Sequence, residues 1–247
     1  MTEVSRNTTL RHSGWILLMI VLAYIAGAFS ENYGFLKFVK KHPWEIWRLT
    51  LQHLHLVGIS SLIAIGLGVP TGILLTRGFM KRYKDWLLTI LGIFQTVPSL
   101  AVIAISMAYL GIGKTTAIFG LIVYCITSII RNTVAGIANL DPVVIDAGRG
   151  MGMTARQLLL KVEMPNAMYI ILTGIRTAMV INVGSAAMSF LVGGGGLGDL
   201  IFTGIAMVDA SYMFAGAVPT AALAIALNWV LERVEKALIS PGLIYEE

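Results

Sequence analysis

Two stretches of this sequence carry glycine spacings that suit phosphate chemistry. Residues 193–198 read GGGGLG, so Gly193, Gly195 and Gly198 stand at the G-x-G-x-x-G spacing of a dinucleotide-binding turn. Residues 111–116 read GIGKTT and contain the Gly-Lys-Thr that ends a phosphate-binding loop. In such turns glycine lets backbone N–H groups close around a phosphate, and the lysine balances its charge. Each turn also needs a strand before it and a helix after it, in a compartment that holds nucleotide. The second motif further lacks the glycine five positions before Gly113, where Ala108 stands.

The elements around these motifs are of another kind. Only 13% of the 247 residues are charged, about half the ~25% of an average soluble domain, and 57% are hydrophobic. So few charges cannot cover a soluble surface, and the bilayer is the solvent that fits. The net charge of +5 is then read from where the cations fall, and not as a sign of nucleic acid. Cys125 is the single cysteine, so no internal disulfide forms, and no Cys/His cluster has metal-binding spacing. We expect no metal and no cofactor.

A membrane helix needs about 20 mostly apolar residues to cross ~30 Å of hydrocarbon. Six stretches qualify: residues 14–29, 54–75, 86–110, 116–137, 168–192 and 213–231. The expected fold is all-α and polytopic. The first stretch follows Arg6 and Arg11 and ends near Ala26-Gly27-Ala28, so both a retained helix and a signal peptide fit it. Nothing downstream looks secreted and soluble, which favours the helix.

With the N-terminus inside, the inner segments hold Arg6, Arg11, Arg77, Lys81, Arg82, Lys84, Arg131, Arg149, Arg156, Lys161, Arg233 and Lys236. The outer ones hold the smaller set Lys37, Lys40, Lys41, Arg48 and Lys114. Cationic loops stay inside, so both termini are expected in the cytoplasm. Trp44 and Trp47 suit a helix lying at the outer interface before the second span. Both glycine motifs then fall in outer loops between membrane helices, on the side without ATP, and the nucleotide readings fail.

The longest inner connection, residues 141–167, reads DPVVIDAGRGMGMTARQLLLKVEMPNA. Val143, Val144, Ala147 and Met151 form one apolar stripe, and Leu158, Leu159 and Val162 another. Gly148, Gly150 and Gly152 interrupt the helical run between them, and Pro165 is expected to end the second piece. Helix connections are usually two to eight residues long, so a longer one with its own apolar stripes suggests a docking knob.

Here the chain resembles the integral permeases of ABC importers. Those proteins carry E-A-A-x3-G-x9-I-x-L-P in a cytoplasmic loop. This chain has Asp146-Ala147-Gly148, three residues, Gly152, nine residues, then Val162-Glu163-Met164-Pro165. The substitutions are Asp for Glu, Gly for the second Ala, Val for Ile and Met for Leu. The resemblance implies that Asp146, Ala147, Gly148, Arg149, Gly152, Met153, Thr154, Glu163 and Pro165 form a coupling loop that docks on an ATPase. Asp146 would favour a helix N-terminus or pair with a basic group of that ATPase. The likeness covers most of 51–237 and is similar to the osmoprotectant branch. Stretches that carry it include "QTVPSLA" at 95–101, "RNTVAGI" at 131–137 and "GGGGLGDLIFTGI" at 193–205.

Polar groups at membrane depth mark either a route or a helix contact. Gln95, Thr96, Pro98 and Ser99 lie mid-way in the third span, where Pro98 would kink the helix beside a cavity. Asn182 and Ser185 lie mid-way in the fifth. For Gln95 and Asn182 both meanings stay open; Ser60 and Ser61 read as helix contacts. Arg176 sits inside the fifth span and would pair with an acid of the cytoplasmic loop or snorkel to the inner face. His53 and His55 read as interface residues. No dense aromatic cluster marks a quaternary-ammonium site.

The resemblance implies a type I ABC importer transmembrane domain at 51–237, preceded by a membrane helix and outer interfacial segment at 1–50 and followed by a tail at 238–247. It implies no catalysis in this chain. The expected partners are two cytoplasmic ATPase subunits, a second permease copy or a paralogue, and a separate solute-binding protein outside. The solute would be glycine betaine, choline or carnitine; an amino acid or ergothioneine is the alternative. A secondary transporter would show inverted repeats and acids in its spans, and neither is visible. Gly193, Gly195, Gly196 and Gly198 are expected to form a tight turn at the outer gate. We predict that Gly152→Glu abolishes uptake while the protein still inserts. Normal transport and normal co-purification with the ATPase would refute the coupling assignment.

Overall fold

The computed structural model describes residues 34–239. The first predicted span, 14–29, and residues 240–247 of the tail lie outside them. Among the described residues every regular element is helical. Hydrocarbon demands this, because each backbone N–H and C=O must find its partner within the protein.

A short helix α1 (Phe35–Lys41) leads into α2 (Pro43–Leu75), which is 33 residues and so about 50 Å long. Pro43 suits the first turn of α2, where its missing N–H would have no intrahelical acceptor. Trp44 and Trp47 do not form a separate interfacial helix as expected; they are exposed in the first turns of α2. After a 3₁₀ turn (Gly78–Tyr83) come α3 (Lys84–Thr96) and α4 (Ser99–Leu110). Next are α5 (Lys114–Ala138), α6 (Pro142–Gly150), α7 (Ala155–Leu158) and α8 (Met164–Ala186). A 3₁₀ turn (Ala187–Val192), α9 (Gly198–Met207) and α10 (Ala210–Leu238) are the last of the described elements. Four stretches can cross a membrane, and the α3–α4 pair is a fifth if counted as one. These match the five predicted spans among the described residues.

Two expectations are corrected. The third span is no single kinked helix: α3 and α4 meet at 96°. A proline forces the residue before it out of the helical region, and Val97 (φ −73°, ψ 126°) and Pro98 (φ −56°, ψ 137°) are both extended. Pro165, in turn, does not end a helix. It sits in the first turn of α8, just after a π-helical turn, Leu159–Glu163, and the helical run continues from Ala155 to Val192. The wider turn absorbs the bond that proline cannot donate and the crowding of its ring.

α5 is the centre of the bundle, with α2, α8, α4 and α3 packed around it. Apolar clusters follow its length, from Leu56, Ile103 and Leu121, through Ala64, Cys125 and Ala178, to Ile137, Ala167 and Ile171. Lipid is as apolar as leucine, so burial alone does not hold membrane helices together; close approach does. A Cβ on Gly72 would lie 2.6 Å from the Thr133 Cβ, and one on Gly174 would overlap Asn132. Gly174→Val should therefore cost about 1–3 kcal/mol through overpacking of the α5–α8 seam. The check is the unfolding midpoint of the detergent-solubilised protein, which should fall; an unchanged midpoint would contradict the tight seam.

Candidate functional site

The segment 141–167, expected to form a knob on the cytoplasmic side, folds as α6, a turn and α7, followed by a π-helical turn and the start of α8. Asp141, not Asp146, caps α6: its Oδ1 accepts from the Val143 backbone N–H at 2.8 Å. Asp146 lies further along the helix, exposed, and accepts from Arg149 at 3.2 Å. Gly152 turns the chain at φ +74°, a left-handed conformation that L side chains rarely adopt. Thr154 then starts α7 with a capping box. Its Oγ1 accepts from the Gln157 N–H at 3.3 Å, and its own N–H donates to Gln157 Oε1 at 2.8 Å.

This fold sorts the coupling residues into two sets. Ala147, Arg149, Gly152 and Thr154 are exposed, beside Val143 (72% exposed) and Met151 (69%). Met153 is half-buried, and Pro165 is exposed at the start of α8. Gly148 faces inward instead. A Cβ there would stand 2.6 Å from Leu158 Cδ1, so its small size serves the α6–α7 contact and not a partner's approach. Glu163 is buried too. Its carboxylate takes both ends of the Arg77 guanidinium, with Nη1 donating to Oε1 at 3.0 Å and Nη2 to Oε2. This bidentate pair ties the loop to the end of α2. Burial lowers the Arg77 pKa from its ordinary value. A cavity of about 400 Å³ opens beside the pair, lined by Lys81, Lys84, Asp146 and Arg149 among others.

The five candidate route residues also divide. Gln95 and Pro98 are exposed at the α3–α4 break, and Gln95 Oε1 accepts from Arg131 Nη1 at 3.0 Å. Ser99 is half-buried, its hydroxyl 3.3 Å from Met188 Sδ. Asn182 is fully buried and donates to Ser60 Oγ at 2.8 Å and Ser61 Oγ at 3.0 Å. Ser185 is buried one turn on. The geometry supports the helix-contact alternative for Asn182. Arg176 pairs with Glu235 of α10 at 3.3 Å, and Thr173 donates to the same carboxylate at 2.8 Å. The acid is therefore in the last helix and not in the cytoplasmic loop, because α8 and α10 pack side by side. His53 is no interface residue: it is fully buried and donates from Nε2 to Val183 O at 2.9 Å.

At the other end of the bundle the two glycine motifs touch. Gly113 N–H donates to Val192 O at 2.7 Å, and Gly196 N–H donates to Gln52 Oε1 at 3.3 Å. Gly193 and Gly194 donate to Phe190 and Ser189 carbonyls. These four amides are already taken within the protein and are not free to cradle a phosphate. Gly193, Gly195 and Gly196 hold φ of +71°, +79° and +97°, and a Cβ on Gly198 would overlap Ala187 O. The chain beyond the turn is not a plain loop, as the sequence suggested, but the apolar helix α9. Burial raises the carboxyl of Asp199 at its start above the ordinary value, while Arg48 opposes the rise.

Residues 68–240 match the family described as "Binding-protein-dependent transport system inner membrane component". The chain belongs to this family. It is 36% identical over 207 residues to the choline transport system permease protein OpuBB of Bacillus subtilis, covering 84% of this chain and 94% of that one. The osmoprotectant import permease protein OsmY of Salmonella typhimurium is 39% identical over 216 residues, covering 87% and 89%. The carnitine transport permease protein OpuCD of Listeria monocytogenes is 40% identical over 195 residues, covering 78% and 85%. Among solved structures, an inward-facing MetNI methionine ABC transporter aligns with a TM-score of 0.71 at 25% identity, over 80% of this chain and 97% of that one.

In this inner-membrane permease, Arg77 is a residue that no sequence motif marks. Its signal is a place in the basic run 77–84, which resembles any cytoplasmic charge cluster; only folding brings it to Glu163, 86 positions away. Arg77→Ala and Glu163→Ala should each destabilise by about 1–3 kcal/mol, below the full cost of breaking a buried pair because Arg77 is partly exposed. A double-mutant cycle in thermal unfolding should show clear coupling between the two. Additive effects would show that the pair does not anchor the loop.

Proposed function

We propose that the chain is the membrane-spanning subunit of an ATP-driven importer for osmoprotectants such as glycine betaine, choline or carnitine. A separate binding protein delivers the solute outside, and two cytoplasmic ATPase subunits hydrolyse ATP; this chain catalyses no reaction itself. A second copy or a paralogue completes the route. Both termini lie in the cytoplasm, and 51–237 forms the permease domain.

The observation that carries this reading is the α6–α7 knob. An apolar tip of Val143 and Met151 stands exposed on a capped helix whose base Arg77 and Glu163 fix to α2. A rigid knob moves as one body, so closure of two ATPase subunits would be passed to α2 and α8. Asp146, Ala147, Arg149, Gly152, Met153 and Thr154 contribute the docking side, while Gly148, Glu163 and Pro165 shape it from behind. Gln95, Pro98 and Ser99 line the route at the break, with Asn182 and Ser185 supporting the helices beside it. Gly193, Gly195, Gly196 and Gly198 form the outer gate, where the binding protein docks. Two states are biased from opposite faces, by ATP below and loaded binding protein above. The choline, osmoprotectant and carnitine permeases among the relatives support the solute class.

A second reading, an amino-acid importer, is favoured by the likeness to the methionine transporter. Reconstitution with its ATPase and binding protein decides between them. Labelled glycine betaine, choline or carnitine should enter proteoliposomes only with ATP and binding protein. Uptake of methionine but none of these, or uptake without ATP, would overturn the proposal.

A further inference from the structure

Arg131, counted with the inner segments from sequence, lies within the spanning helix α5, seven residues from its end, and Arg176 lies within α8. Arg176 is neutralised by Glu235. Arg131 is not: among the described residues it has no carboxylate partner, and Gln95 is its one hydrogen-bond partner. It is also exposed, seven residues and so about 10 Å from the end of α5 at Ala138. An exposed, unpaired guanidinium cannot rest in hydrocarbon without a large cost, so this face meets water or a partner. Snorkelling to the Ala138 end is not what the side chain does. Helical side chains lean toward the N-terminus, and Gln95 holds the guanidinium there. Gly92, one turn earlier on α3, leaves it room: a Cβ would stand 3.3 Å from Nη1. The Val97–Pro98 break begins immediately beyond.

Among the described residues, a second copy of this chain has no carboxylate to spare at that depth. Glu235 is committed to Arg176 and Glu163 to Arg77. Glu232 pairs with Lys236, and the other described acids sit in loops or near helix ends. A carboxylate on the solute would supply the missing anion. Guanidinium is well suited to it, since its planar fork takes a carboxylate in two parallel bonds. Resting on the osmoprotectant reading above, we propose that Arg131, held by Gln95 over Gly92, is a carboxylate-binding residue on the route. It favours zwitterions that join a carboxylate to a quaternary ammonium over cationic alcohols of the choline type.

The test is uptake by the complete importer in proteoliposomes, at saturating loaded binding protein, comparing glycine betaine with choline. The same binding protein serves every permease variant, so its own preference cancels between them. Arg131→Gln should lower the ratio of glycine betaine to choline maximal rates about tenfold or more, and Arg131→Lys should restore part of it. The half-saturating concentration of loaded binding protein should stay the same. An unmoved ratio, or equal loss of both rates in both variants, overturns the proposal and leaves the osmoprotectant reading standing. A wild-type importer that carries neither solute overturns both.

Discussion

Hydrocarbon offers no solvent to a bare backbone amide or carbonyl, and each one left unpaired there costs several kcal/mol. That constraint makes the described chain helical and decides where it stops being so. Three departures from the α-helix carry a device that repairs the backbone. At Val97–Pro98 the residue that cannot donate stands in the break itself. At Leu159–Glu163 a π-helical turn spreads the disturbance ahead of Pro165, so one helical run reaches from the 141–167 knob deep into the bundle. At Gly193–Gly196 three left-handed residues let the amides bond inward, to Gln52, Ser189 and Phe190.

The same low dielectric governs the side chains. Asn182 is buried against two serines, and His53 against a backbone carbonyl, because a polar group at that depth must find a partner. Buried acids and bases are paired in turn, Glu163 with Arg77 and Glu235 with Arg176. Each pair joins two elements that are distant in sequence, so each also fixes a geometry: the knob against α2, and α8 against α10. The exposed Arg131 is the exception, with Gln95 and no carboxylate as its partner among the described residues.

The knob joins these two levels. Its tip is apolar, and its helices are capped by the side chains of Asp141 and Thr154, which hold its shape locally. Its base is held by an ion pair and by the unbroken helical run into α8. A push on Val143 and Met151 therefore acts on spanning helices directly. The glycine turn at the far end is built just as tightly, and its contact with the 111–116 loop joins the start of α5 to the end of α8.

Membrane class, five of the spans, the helical segment at 141–167 and the relation to ABC permeases could be read from the sequence, because they depend on composition, local spacing and a contiguous motif. Capping by Thr154 and the turn at Gly152 were within reach for the same reason. The meaning of single polar residues was not. Nothing local distinguishes Glu163, which is buried, from Asp146, which is exposed, or Arg131 from Arg176. Nor does spacing tell that the amides of a G-x-G-x-x-G run are already bonded inward. Those outcomes depend on which helix packs against which, and in a bilayer that is settled by close contact between small residues far apart in the chain, not by the pattern along any one segment.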